Sequence, residues 1–323
     1  MLRWLGTRLL QSMVTGAVAV TLAFFLMRAA PGDSLARLGD DRSITPEQVR
    51  ALEARYGLDQ PVGRQFTTFL VGAFRGDFGV SIEHGRAVSE LVIERLPASL
   101  LLGATVLLVT FALGSWLGAV QAIRRDSMLD RFLGTASLTA YAMPSFWLGL
   151  VLAWIAGVEW RVLPVAGMRD PFLPESATLL ERWADVLRHL VLPAFTLACV
   201  NIGATMRHQR GAMLEALAQP FVRAARARGL DERRVTWRHG WRNALFPVVT
   251  LFGLWLPLLV TGSVFVEKIF AWPGLGALAA DAIGARDYPL LMGATILVTT
   301  LVIAGGLAAD AAYAALDPRV RRP

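Results

Sequence analysis

Few residues in this chain could do covalent chemistry, and the surroundings of each argue against it. Gly32-Asp33-Ser34-Leu35 spells a serine-nucleophile motif, whose hydroxyl would need a histidine base held by a nearby acid. None of the four histidines, His84, His189, His208 and His239, stands in an Asp-x-x-His pattern, so a polar turn is the better account of these residues. A phosphate-cradling loop requires Gly-x-x-x-x-Gly-Lys-Ser/Thr, yet the single lysine, Lys268, sits between Glu267 and Ile269. The chain therefore has no phosphate loop of this kind. Cys199, the one cysteine, lies in an apolar run; it packs as a small hydrophobe and offers neither a disulfide nor a metal cluster.

What remains to be positioned is an unusual amount of apolar surface. The chain has 323 residues, 55% hydrophobic and 18% charged, where a soluble domain is usually about a quarter charged. A net charge of +7 could suggest nucleic acid, but the arginines are spread between apolar segments instead of clustering on one soluble face. Nucleic-acid binding is excluded on that ground.

A helix crosses a bilayer in about 20 apolar residues, because every backbone polar group must be satisfied inside the segment. Six uncharged stretches meet or approach that length: 9–27, 96–123, 132–158, 189–206, 243–266 and 288–309. The fourth is the shortest and carries Pro193. The first resembles a signal peptide, but its apolar run is too long for one and Arg28 follows it, which reads as an uncleaved helix. A further run, 269–280, is too short to span and contains Trp272-Pro273-Gly274, as suits an interfacial or re-entrant turn.

Basic residues set the orientation. Nine arginines against three acids fall between 207 and 242, which puts that loop and both termini in the cytoplasm and leaves 28–95 and 159–188 outside. The resulting organisation is a cytoplasmic N-terminus and first helix (1–27), an outer loop region (28–95), a five-helix core (96–311) interrupted by the loop 207–242, and a cytoplasmic tail (312–323). Apolar residues recur at helical spacing over 176–190, which reads as an amphipathic helix at the outer surface. It packs against headgroups or the bundle, or meets an external partner, a role better suited to 28–95.

Connections within a bundle usually take 2 to 8 residues, so the 36-residue loop 207–242 needs its own structure. Helix formers fill 210–218; Pro220 then allows a fresh start, and 221–228 runs to Gly229, a good stop. Phe221, Ala224 and Ala225 can share one face of that helix, with Arg223, Arg226 and Arg228 on the rest. Two readings follow: a docking element for a partner, or a basic segment lying on anionic headgroups.

The wording of the loop distinguishes them. Phe221-Val222-Arg223-Ala224-Ala225-Arg226-Ala227-Arg228-Gly229-Leu230, followed by Asp231-Glu232, Arg242-Asn243-Ala244-Leu245 and Pro247, resembles the cytoplasmic EAA loop of dipeptide and oligopeptide ABC permeases. Similar phrases run through the chain: Ala30-Pro31-Gly32-Asp33, Tyr56-Gly57-Leu58-Asp59-Gln60-Pro61, Gly76-Asp77-Phe78-Gly79, Pro144-Ser145-Phe146-Trp147, Thr261-Gly262-Ser263, Phe270-Ala271-Trp272-Pro273-Gly274 and Leu316-Asp317-Pro318-Arg319. Arg223 stands where the general EAA pattern has glutamate, and Pro247 lies further downstream than usual; both look like features of the peptide-permease branch.

The resemblance implies an all-α polytopic membrane protein with six transmembrane helices and both termini cytoplasmic. It also implies the type I ABC importer permease fold, in a bacterial inner membrane. The coupling helix would use Phe221, Arg223, Ala224, Ala225, Gly229 and Leu230 to meet an ATP-hydrolysing subunit. Implied partners are a second homologous permease, two cytosolic ATPase subunits holding ATP and magnesium, an extracytoplasmic substrate-binding protein and membrane lipid. This chain would hold no cofactor and hydrolyse nothing. An ion-coupled secondary transporter is the competing class; it would carry charged residues near mid-membrane, and the central parts of the six spans have none. Polar residues in or beside the spans, such as Ser145, Asn201 and Thr261, serve equally well as path lining or as interhelical hydrogen-bonding groups.

Overall fold

In the computed structural model, which describes residues 2–29, 45–255 and 263–316, every regular element among the described residues is helical apart from one bridge between Val80 and Ala87. The Gly32–Leu35 motif, Ala30-Pro31-Gly32-Asp33, Thr261-Gly262, residues 256–262 of the fifth expected span and most of the C-terminal tail lie outside the described residues.

The first expected span is α1 (Leu2–Ala29). Its apolar side chains remain open to the surroundings, Leu10 at 63% and Leu26 at 69% exposed, as a lipid-facing helix requires. Two helices follow in the outer region. In α2 (Pro46–Tyr56), Thr45 and Gln48 form a reciprocal capping box and Gly57 closes the end in the left-handed conformation. The second is α3 (Val62–Arg75).

The central helix, α4, runs from Val88 to Ile123 with Pro97 inside it, so the second span begins eight residues before the expected 96. Pro97 lacks an N–H but does not end the helix. The third span is also corrected. It is a pair, α5 (Met128–Ala142) and α6 (Ser145–Leu152, continuing as a π-helical segment Ala153–Glu159), bent by 104°. The cause is local: Met143 precedes Pro144 and is held extended, at φ −79° and ψ 133°, because the proline ring disfavours helical backbone before it.

The expected surface helix over 176–190 is not separate. Thr178 and Glu181 form a capping box that starts α7 (Leu179–Ala218), a continuous 40-residue helix through Pro193. Its first turns face two ways: Leu180 is 81% exposed, while Val186 and Leu190 are buried. Leu190 joins Ala98, Leu102, Ala194 and Trp272 in one apolar cluster. Further down, α7 meets α4 and α5 at backbone distance. A Cβ on Gly203 would lie 2.8 Å from the Ser137 carbonyl, and one on Gly118 would strike the carbonyl of Met206.

Past a short connecting segment come α10 (Arg242–Trp255), α11 (Val264–Ile269), α12 (Leu275–Ala285) and α13 (Tyr288–Leu316). The 269–280 run is the turn between α11 and α12 together with the first half of α12. Trp272 there is fully buried and donates its indole N–H to the Ala98 carbonyl at 2.9 Å. Four described helices, plus the bent pair, are long and apolar enough to cross a membrane. α1 packs along α13, and Arg8 pairs with Asp310 at 3.5 Å, so the start of the first helix lies beside the end of the last.

Candidate functional site

The segment expected to dock a partner is built on the end of α7. At Gln219 the backbone becomes extended, φ −68° and ψ 151°, and Pro220 opens α8 (Pro220–Ala227). A proline at the first helical position loses no hydrogen bond, since that N–H would be unpaired anyway. The Gln219 carbonyl accepts from Val222 N–H at 3.1 Å. At the other end Gly229 is left-handed, φ 74°, and the N–H groups of Gly229 and Leu230 return to the carbonyls of Arg226 and Ala225 at 2.9 and 3.4 Å. Asp231 then caps a helical turn, α9 (Glu232–Arg234), accepting from the N–H groups of Arg233 and Arg234. A π-helical segment, Val235–Trp241, leads back into α10.

This short helix has an inner and an outer face. Val222, Ala225 and Val235 are buried together, with Leu217 and Leu230 packed around them. Phe221 is 41% exposed, and Arg223, Ala224 and Arg228 are exposed. The expected grouping of Phe221, Ala224 and Ala225 on one face is therefore corrected: Ala225 points inward with Val222, and Phe221 and Ala224 point outward. Of the six expected residues, Phe221, Arg223 and Ala224 form the free surface. Ala225 and Leu230 hold the helix to its base, and Gly229 turns the chain away.

One ion pair staples the turn. The Arg226 guanidinium meets Glu232 through two bonds, 3.0 and 2.6 Å. Arg226 beside it holds the Glu232 carboxyl below the usual carboxylate range. The base on which the helix sits is apolar: Met213 and Ala216 of α7 pack with Ala119 and Ala122 of α4 and Ala244 of α10.

Above this base lies a polar cluster that the sequence did not suggest. Asp130, 8% exposed, accepts from Arg210 Nε at 3.0 Å and Nη2 at 2.7 Å. The Asp126 N–H reaches its Oδ2 at 3.1 Å, and Gln121 Nε2 reaches its Oδ1 at 3.3 Å. Two more acids, Glu267 and Asp287, are fully buried. Glu267 accepts from the Ser99 hydroxyl at 3.2 Å and the Ala277 N–H at 2.8 Å. Asp287 accepts from Ser81 Oγ at 2.5 Å, Glu83 N–H at 3.1 Å and Leu290 N–H at 3.0 Å.

His84 Nδ1 lies 3.1 Å from Ser81 Oγ, the closest approach to a nucleophile constellation among the described residues. It is not one: Ser81 is fully buried and its proton goes to Asp287, leaving no hydroxyl for a base to activate. Among the described residues no three or more His, Cys, Asp or Glu come together as a metal site. The most distinctive feature is thus a presented surface with no reacting group.

Comparison with known proteins identifies the family. The sequence profile of the family described as "binding-protein-dependent transport system inner membrane component" matches residues 94–322, and the N-terminal profile of the same membrane components matches 1–103. The oligopeptide transport system permease protein AppB of Bacillus subtilis is 39% identical over 300 residues, covering 93% of both chains. The dipeptide transport system permease protein DppB of Escherichia coli K12 is 35% identical, covering 95% of this chain and 94% of the relative. The di/tripeptide transport system permease protein DppB of Pseudomonas aeruginosa is 35% identical over 99% of both.

Proposed function

The chain belongs to the binding-protein-dependent transport inner membrane components, multi-pass permease subunits of ABC importers, and from that premise we propose that α8 is its coupling helix, docking a cytosolic ATPase through Phe221, Arg223 and Ala224. The observation that carries the reading is the two-faced α8, with Val222 and Ala225 anchored inward and Phe221 left 41% exposed beside arginines. An exposed aromatic ring on a rigid, capped helix is the kind of anchor that fills a partner's pocket. A segment that merely rested on headgroups would need its arginines but not a fixed inner core.

On this reading Ala225, Leu230 and Gly229 hold and end the helix, and they act on the ATPase through its position. Six helices form half of a translocation path, and a second, homologous permease supplies the other half. Two ATPase subunits hold ATP and magnesium, and an extracytoplasmic binding protein delivers the solute. The relatives named above as dipeptide, di/tripeptide and oligopeptide permeases support peptides as the cargo. The three buried acids support an external energy source, since each is engaged by named donors at the edge of a span or beyond it.

Phe221→Asp tests the reading. The variant should reach the membrane at normal levels, yet recover at least about tenfold less ATPase subunit on affinity purification, as loss of an anchor worth about 1.4 kcal/mol or more requires. Undiminished ATPase recovery together with normal uptake would refute it.

A further inference from the structure

We propose that Asp130 and Arg210 form the positioning joint through which displacement of α8 reaches the bent third span. The proposal rests on the coupling role of α8 and concerns what lies beyond it. One carboxylate ties three elements together: Gln121 of α4, the Asp126 N–H of the turn before α5, and Arg210 of α7. Arg210 lies on the same continuous helix that ends at Gln219, where α8 begins. Between the two, Met213 and Ala216 are packed on α4.

Glycines at the helix contacts leave no compressible side chain between α7 and its neighbours. Gly118 faces the Met206 carbonyl, and Gly203 faces that of Ser137 on α5. Packed elements of this kind move as bodies, because close-packed contacts repack between discrete arrangements and do not stretch. A push on α8 therefore travels along α7 to Asp130, in the first turn of α5. From there α5 carries it to Met143-Pro144, where the chain turns by 104°. The paired bonds of Arg210 to both carboxylate oxygens fix the angle between α5 and α7 as well as their distance, which a single-point contact could not do. Asp130 and Gln121 are buried, while the Arg210 side chain keeps 31% of its surface exposed.

A merely structural pair and a mechanical joint differ in one readout, the ATP hydrolysed per solute carried. The assembled importer, in vesicles with its loaded binding protein outside, gives both rates. Arg210→Lys keeps the charge but loses the two-pronged contact, and Asp130→Glu lengthens the arm by one methylene. Each should assemble with its ATPases, continue to hydrolyse ATP, and spend at least fivefold more ATP per solute. The charge exchange Asp130→Arg with Arg210→Asp should recover part of that loss relative to either single reversal.

An unchanged ratio in both conservative variants overturns the proposal, as does a parallel fall of hydrolysis and uptake that leaves the ratio intact. Phe221→Asp separates the two ideas. If it retains ATPase and coupling while Arg210→Lys uncouples, Phe221 is not the docking anchor and the joint stands. If it sheds the ATPase while Arg210→Lys remains coupled, the joint fails and the docking stands.

Discussion

Two short helical hairpins of this permease are finished differently. In the first, α11 and α12 are folded inward: Trp272 and Glu267 between and along them are fully buried, and both hydrogen-bond to the Ala98–Ser99 segment of α4. In the second, α8 buries Val222 and Ala225 but presents Phe221, Arg223 and Ala224. The first hairpin engages Trp272 and Glu267 within the chain, although Phe265 of α11 stays 64% exposed. The second ends at Gly229 and packs on a small apolar base, leaving Phe221 41% exposed. On that division rests the proposal that a partner's surface meets α8.

The contrast can be broken at several points. Trp272→Ala should do the most damage, about 3–5 kcal/mol for an emptied core site that also loses the indole bond to the Ala98 carbonyl. It should be seen as a lowered unfolding midpoint and poor accumulation in the membrane. By the same assay Phe221→Asp should stay within about 0.5 kcal/mol, as an exposed position permits; equal losses would erase the distinction between the hairpins.

Ala225→Leu should fall between them, at about 1–3 kcal/mol, because the added carbons have to enter the packed contact with Val222 and Val235. Local proteolysis within 219–242 would report it, and a variant as resistant as the wild type would show that Ala225 is not an inner anchor.

The smallest effect belongs to the Arg226–Glu232 staple, which is exposed and open to screening by salt. Glu232 has its pKa depressed below the ordinary 4.5 by Arg226. Its contribution is therefore complete above that value and is lost as the pH falls through the depressed one. Protease resistance of the loop should weaken on acidification and in high salt, and Glu232→Gln should remove both dependences; persistence of either in that variant would show that another group is responsible.

Much of this organisation could be read from the sequence because a bilayer imposes a crude requirement. Uncharged runs of about 20 residues mark four long apolar helices and the bent pair, and Gly229 marks a true helix end. Direction was harder. The turn at Met143-Pro144 carried a signal, an extended residue before proline, but hydrophobicity is blind to a bend. Charged residues up to Arg188 set the edge of the uncharged run, and that edge divides what is one continuous 40-residue helix.

The expected face of α8 rests on helical spacing alone, which groups Phe221 with Ala224 and Ala225. The helical repeat alone allows 222/225 as readily as 221/225, and only Val235 from beyond the Gly229 turn decides between them. Asp130–Arg210, Ser99–Glu267 and Ser81–Asp287 join residues 80, 168 and 206 positions apart. No local pattern links such distant partners.

The central claim is that the outward face of α8 meets an ATPase, and a photo-reactive amino acid placed in turn at Phe221, Val222, Ala224 and Ala225 in the intact importer tests it most directly. The account expects adducts to the ATPase subunit from 221 and 224, and none from 222 and 225. Adducts from the inner pair alone, or products at 221 and 224 that contain lipid and no ATPase, would contradict it.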